Sequence, residues 1–178
     1  MAPHVHCITA FADALRRGWV PYGPDVSAAW LLAIAADPAA WLVAYLDPNG
    51  TVPLPDGRVV PKLPSREWWL WDGDFAGVIL LRRQAGTEAL PPFVNGHVFY
   101  SVVPWRQNRG YATDALRHLL PFARESGLRW LDVGCSADNP ASSSVILKNG
   151  GRLFDVRPDP VTPDSMVELY RVQVASIA

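Results

Sequence analysis

The stretch Val102-Val103-Pro104-Trp105-Arg106-Gln107-Asn108-Arg109-Gly110-Tyr111-Ala112-Thr113 holds the residue types best suited to chemistry. An apolar strand runs into a polar loop, and an amphipathic helix begins at once. The first turn of a helix presents N–H groups with no intrahelical partner, and its dipole favours negative charge. Gly110 lets the main chain come close to a bulky diphosphate, and Ala112 is small enough to keep that approach open. Arg106 and Arg109 can add charge-assisted bonds to phosphate oxygens. No Gly-Lys-Ser/Thr follows, so this is no Walker loop. With a single glycine, it is no dinucleotide fingerprint either.

Other reactive side chains form weaker constellations. Cys135 ends an apolar run and reads either as a nucleophile or as a small buried residue; no histidine stands near it in sequence. His4, His6 and Cys7 are of types that could bind a metal, but they stand close to the terminus and no metal is expected. His118 falls on the polar side of its helix. Ser142-Ser143-Ser144 reads as a first helical turn whose hydroxyls satisfy backbone groups. Trp30, Trp41, Trp68, Trp69 and Trp71 supply either core or the aromatic wall of a substrate pocket.

The elements that must position these residues follow from periodicity and punctuation. Residues 8–17 read as a short helix stopped by Gly18. Residues 25–46 read as two helical pieces, the first capped by Ser27, the second by Asp37 with Pro38 at its first position. Residues 47–64, rich in proline and glycine, read as a loop. Two strands, Glu67–Trp71 and Phe75–Arg82, flank the hairpin turn Asp72-Gly73-Asp74. A second loop covers 84–95, and His97–Val103 is a strand. A helix starting near Gly110 places Ala112, Ala115, Leu116, Leu119, Leu120 and Ala123 at helical spacing. Pro121 should kink it or mark its last turns. Arg129–Cys135 is a strand and Pro140–Lys148 a helix capped by Asn139. Leu153–Val156 and Met166–Val174 are the last strands. The order gives a mixed α/β domain around one sheet.

Whole-chain properties fit this reading. The 178 residues suggest one domain, and 49% hydrophobic content is enough for a sizeable core. A formal net charge of -1 gives no long-range pull toward nucleic acid or an acidic membrane. Two isolated cysteines make no disulfide framework. The N-terminus has no signal-peptide pattern. The longest apolar stretch, residues 28–46, is interrupted by Asp37-Pro38 and is no membrane span. A cytoplasmic protein is the default expectation, with no nucleic-acid or membrane partner.

The segment Gln107-Asn108-Arg109-Gly110-Tyr111-Ala112 resembles the Gln/Arg-x-x-Gly-x-Gly/Ala motif of the GNAT superfamily of N-acetyltransferases. Asn139-Pro140-Ala141-Ser142, followed by a short helix ending in Lys148-Asn149-Gly150, resembles that family's later motif, with one helix and one strand between the two. The runs Gly96–Pro104 and Gly57–Trp69 are similar to a bacterial branch of predicted acetyltransferases. The resemblance covers residues 57–156 well and the first fifty poorly.

The resemblance implies a GNAT-like, mostly antiparallel sheet of about six to seven strands flanked by helices. A splayed strand pair would form the acyl-CoA cleft. The N-terminal helices (1–56) would lie on the acceptor side, 57–156 would bind the cofactor, and 157–178 would supply the last strand. Acetyl-CoA would be the acyl donor. Val102 and Val103 would pair with its pantetheine arm, and Gln107, Asn108, Arg109, Gly110, Tyr111, Ala112 and Thr113 would hold its pyrophosphate. Asn139 and Ser142 would contact the arm or the thioester. The acceptor would be a primary amine of a small molecule or peptide, and a homodimer is compatible with this reading. The family's glutamate base aligns with Gly96 and its tyrosine acid with Ile146, so both roles pass elsewhere. Tyr100, His97 and Ser142 are the catalytic candidates, with Glu67 on a neighbouring strand as a further base. His97 and Tyr100 read equally as a hydrogen-bonded strand histidine and a half-buried sheet residue. Two other functions stay open: a non-catalytic acyl-CoA-binding module, and a nucleotide-binding regulator.

Overall fold

Asp37 breaks the long apolar N-terminal stretch in two. In the computed structural model, which describes residues 1–54, 57–160, 162 and 164–174, its carboxylate accepts from the N–H groups of Ala39 and Ala40, both at 3.0 Å. That cap and Pro38 separate helix α2 (Pro24–Ala36) from α3 (Pro38–Tyr45), as the sequence suggests. Ser27 does not cap α2. The helix begins three residues earlier, after Gly23, and the Ser27 hydroxyl donates instead to the Gly23 carbonyl. Helix α1 (Ile8–Arg16) precedes them and buries Ile8, Phe11, Ala12 and Leu15. None of the helices among the described residues is long and apolar enough to cross a membrane.

The proline-rich segment read as a loop contains a small hairpin, β1 (Thr51–Pro53) with β2 (Val59–Pro61). Its prolines sit at strand ends, where a missing N–H is tolerated. Of the prolines that marked this loop, Pro55 lies outside the described residues, as do residues 175–178 at the C-terminal end. Strands β3 (Ser65–Trp71), β4 (Phe75–Arg82) and β5 (Val98–Val102) form an antiparallel sheet in that order. Helix α4 (Tyr111–Glu125) follows and runs past Pro121, which falls in its last turns. Strand β6 (Trp130–Ser136), helix α5 (Pro140–Lys148), β7 (Arg152–Pro158) and β8 (Met166–Gln173) complete the chain. The second sheet has the order β6-β8-β7, also antiparallel.

The single central sheet of the sequence reading is thus realised as two three-stranded halves. They meet at one isolated bridge, Gly96–Val133. A Cβ on Gly96 (φ +119°) would lie 2.5 Å from the Asp132 carbonyl oxygen, and one on Gly134 only 2.2 Å from that of Asn95. No larger residue fits this crossing at either position, so the bridge depends on glycine.

Two apolar clusters sandwich the sheet. Trp68, Leu70, Ile79, Leu81, Val98 and Tyr100 pack with α4 and α5 on one face. Trp69, Val78, Phe99 and Val103 pack with α1, α2 and α3 on the other. The tryptophans of the first half are mostly core: Phe11 lies among the rings of Trp19, Trp30, Trp41, Trp69 and Phe75.

Candidate active site

Beyond the Gly96–Val133 bridge, β5 and β6 share no registered pairing, so β5 has a free edge. Antiparallel pairing turns alternate residues toward the partner strand. The Arg82 N–H donates to the His97 carbonyl and the Val103 N–H to the Ala76 carbonyl, so odd-numbered residues face β4. The N–H and C=O groups of Tyr100 and Val102 therefore point to the open edge. Val103 is turned the other way, and its carbonyl accepts from the Arg106 N–H at 2.9 Å. Of the two residues expected to pair with the pantetheine arm, Val102 has its main-chain groups on the open edge, as Tyr100 does, and Val103 does not. The Gln107 side-chain amide reaches back to the Val102 carbonyl at 3.2 Å, tying the loop to this edge.

The loop then bends sharply into α4. Asn108 and Gly110 both adopt left-handed backbone, with φ of 60° and 87°. Asn tolerates that region and glycine occupies it freely. Gly110 is the N-cap residue, and its carbonyl accepts from the Asp114 N–H. The N–H groups of Tyr111, Ala112 and Thr113 thus open the helix without intrahelical partners. The two arginines diverge in role. Arg106 is held by the Tyr111 hydroxyl at 3.1 Å and by Asp72 and Asp74 of the β3–β4 turn, at 3.9 and 3.7 Å. Tyr111 itself donates to Asp72 at 2.7 Å. Arg109 is exposed and makes no ion pair among the described residues, so it is the arginine available to an anion.

The far end of the later motif locks this helix start in place. The Asn149 side-chain amide donates to the Thr113 carbonyl at 3.1 Å and to the Val145 carbonyl at 2.9 Å. Asn139 caps α5 by accepting from the Ser142 N–H at 3.0 Å. That bond occupies its Oδ1. Ser142 is thereby presented to β5. Its hydroxyl lies 2.6 Å from the Tyr100 hydroxyl, which also donates to the Ser142 carbonyl at 3.2 Å. Burial pushes the Tyr100 phenol up to about 12, so it stays protonated and can act as a donor at neutral pH. Burial also raises the neighbouring Cys135 thiol, which disfavours a thiolate nucleophile there.

His97 stands apart from this pair. It is 1% exposed. Its Nδ1 accepts from the Asp132 N–H at 3.0 Å, which makes Nε2 the protonated nitrogen, and that donates to the Glu88 carbonyl at 3.1 Å. Desolvation lowers its pKa, leaving a neutral ring clamping the 84–95 loop to β6. Glu67 lies two strands from the free edge, accepting from Tyr45 at 2.5 Å and Trp69 at 3.1 Å. Burial raises it to about 7. The sequence reading missed the anchors, namely Asp72, Asp74 and Asn149. Asp72 and Asp74 were visible only as turn residues, and Asn149 only as part of a motif.

A free strand edge, a helix start with open N–H groups, and a protonated phenol between them suit a phosphorylated thioester arm. The comparisons agree with that class. Residues 8–152 match the Acetyltransferase (GNAT) domain model, and the chain belongs to that family. No curated protein matches it in sequence. Among solved structures it is similar to a GNAT-family protein from Desulfovibrio desulfuricans, with 18% identity, 92% of each chain covered and a TM-score of 0.55. The microcin C7 self-immunity acetyltransferase, solved with acetyl-CoA and AMP, superposes over 98% of this chain and 91% of its own at 12% identity and TM-score 0.60. The ribosomal L7/L12 α-N-protein acetyltransferase does so over 97% and 88% at 15% identity and TM-score 0.58. At these identities the structures speak for the fold, and the family match assigns the activity: this is an acetyl-CoA-dependent N-acetyltransferase.

Proposed function

We propose that the protein moves an acetyl group from acetyl-CoA directly to a primary amine of a small molecule or peptide. The observation that carries this reading is the open β5 edge at Tyr100 and Val102 beside the uncapped start of α4. When bound, acetyl-CoA supplies an activated thioester. The main-chain groups of Tyr100 and Val102 would hold its arm as an added strand would be held. The N–H groups from Asn108 to Thr113, with the Arg109 side chain, would hold the pyrophosphate; that of Gln107 already donates to the Pro104 carbonyl.

Transfer would form the amide C–N bond from a neutral amine as the C–S bond breaks, with the amine's proton passing through water to the departing sulfur, so that the products are the N-acetylated amine and the CoA thiol. Tyr100, protonated and oriented by Ser142, would donate a hydrogen bond to the leaving sulfur. Asn139 acts through Ser142 by fixing the start of α5. Alignment of the two reactants on a preformed edge would supply much of the remaining rate. The helices of the first fifty residues and the 84–95 loop would border the acceptor.

Thiol release from acetyl-CoA with a panel of amines tests the reading. Turnover with at least one amine is expected. CoA binding without turnover on a broad panel would favour a binding module instead.

A further inference from the structure

Transfer from an amine needs a group that takes the amine's proton and gives it up again for the sulfur. Neither His97 nor Glu67 is placed to do so. Both nitrogens of His97 are bonded, and Glu67 stands two strands from the free edge. Asp132 is paired with Arg171 at 2.7 and 2.9 Å, and it lies on the sheet face opposite Tyr100, since Leu131 and Val133 take the face that Tyr100 shares.

Strand β8 brings a different carboxylate to the right face. Register sets Glu168 directly opposite Cys135, with Tyr170 two residues on and opposite Val133. Residues directly opposite across an antiparallel pair share a face. Cys135, Val133 and Tyr170 all pack on the α4–α5 side of the sheet, as Tyr100 does, so Glu168 lies on that side too. Cys135 belongs to β6, the far lip of the gap beside β5. Its thiol adjoins the Ser142 hydroxyl and the Tyr100 phenol. Glu168 is one strand further, about 5 Å away.

The two oxygens of Glu168 are used unequally. Oε2 accepts from the Tyr170 hydroxyl at 2.6 Å. That bond, together with burial, raises the Tyr170 phenol to about 12, so it stays a donor at neutral pH. Oε1 has no hydrogen-bond partner and is not sealed in the interior, so water reaches it. Glu168 forms no ion pair among the described residues. Its cross-strand neighbours are Cys135 on β6 and Val156 on β7, neither of them a cation. A carboxylate oriented by a phenol, open to water and not neutralised by a cation meets the geometric need of a base acting through one water.

We propose that Glu168 is the general base of the transfer. As the amide C–N bond forms, a water passes the amine's proton to Oε1. As the C–S bond breaks, that proton leaves Glu168 through water for the sulfur. The products are the N-acetylated amine and the CoA thiol, and Glu168 ends ionised as it began. Tyr170 is a positioning residue, since it fixes the carboxylate without meeting the substrate. The assignment rests on the acetyltransferase reading above and supplies its base.

Glu168→Gln keeps an acceptor for the Tyr170 hydroxyl and removes the base. It should lower kcat by about 10²-fold or more while KM for acetyl-CoA stays unchanged. Glu168→Asp should recover part of the loss. Formate added to Glu168→Ala should restore turnover in proportion to its concentration, which a purely structural role would not allow; this response decides the matter if Glu168→Gln does not fold. Tyr170→Phe should cost only about fivefold in kcat, the worth of one hydrogen bond. Wild-type kcat in Glu168→Gln, or a Glu168→Ala variant that ignores formate, would overturn the base and leave acetyl transfer standing. So would a return of Glu168→Ala to wild-type kcat on adding Tyr170→Phe, because Glu168 would then serve only the phenol. Wild-type protein that binds CoA and acetylates no amine would remove the enzymatic reading and the base together.

Discussion

The Tyr100 hydroxyl lies 2.6 Å from the Ser142 hydroxyl, joining β5 to α5 across the gap where the two half-sheets separate. Tyr100→Phe should lower kcat by about 10²-fold, the usual effect of losing one donor to developing negative charge. KM for acetyl-CoA should change little, because the main-chain edge remains. Ser142→Ala should cost less, since the phenol, the donor to the sulfur, remains and only the hydroxyl beside it is lost. Steady-state kinetics of the two variants check this ordering.

Gly110→Glu should weaken CoA binding more than tenfold. The substitution forces a left-handed φ of 87° on a residue with a side chain and sets a carboxylate beside the pyrophosphate. Calorimetric titration of a variant with wild-type circular dichroism is the measurement. Unchanged affinity would count against this placement.

His97→Ala should act on stability first. Both ring nitrogens are bonded in a buried setting, so its loss should cost about 2–3 kcal/mol. The wild-type ring is held neutral below its ordinary pKa. Its contribution is present above about pH 6.5, the unfolded value, and is lost as pH falls through the lowered folded value. Urea denaturation of both proteins at pH 5 and 8 should show the difference shrinking at the lower pH.

Glu67 has the opposite sign. Its folded pKa, near 7, lies above the unfolded 4.5, so its contribution is greatest below pH 4.5 and lost as pH rises through 7. Glu67→Gln should flatten that slope and stabilise the protein at pH 8 by up to about 3 kcal/mol. Its kcat should stay near wild type, because Glu67 is two strands from the free edge. Loss of kcat with retained stability would instead assign it the base.

Local features were legible in the sequence because they are determined locally. The Asp37 cap, the Asp72-Gly73-Asp74 turn and the strand–loop–helix around Gly110 depend on neighbours a few residues away. Ser27 misled because Gly23 and Pro24 start α2 earlier, and the prolines of residues 47–64 hid a hairpin whose strands end on Pro53 and Pro61. The orientation of Val103 depended on the β4–β5 register, which periodicity alone does not fix. The partners of His97, at Asp132 and Glu88, lie on segments that only the folded chain brings together.

The most direct test of the central claim is the amide spectrum of the isotope-labelled protein during titration with acetyl-CoA. The largest changes should fall on the main-chain amides of Tyr100 and Val102 and of Gly110 through Thr113. Saturable binding with those amides unmoved, or with the changes centred on another part of the sheet, would contradict it.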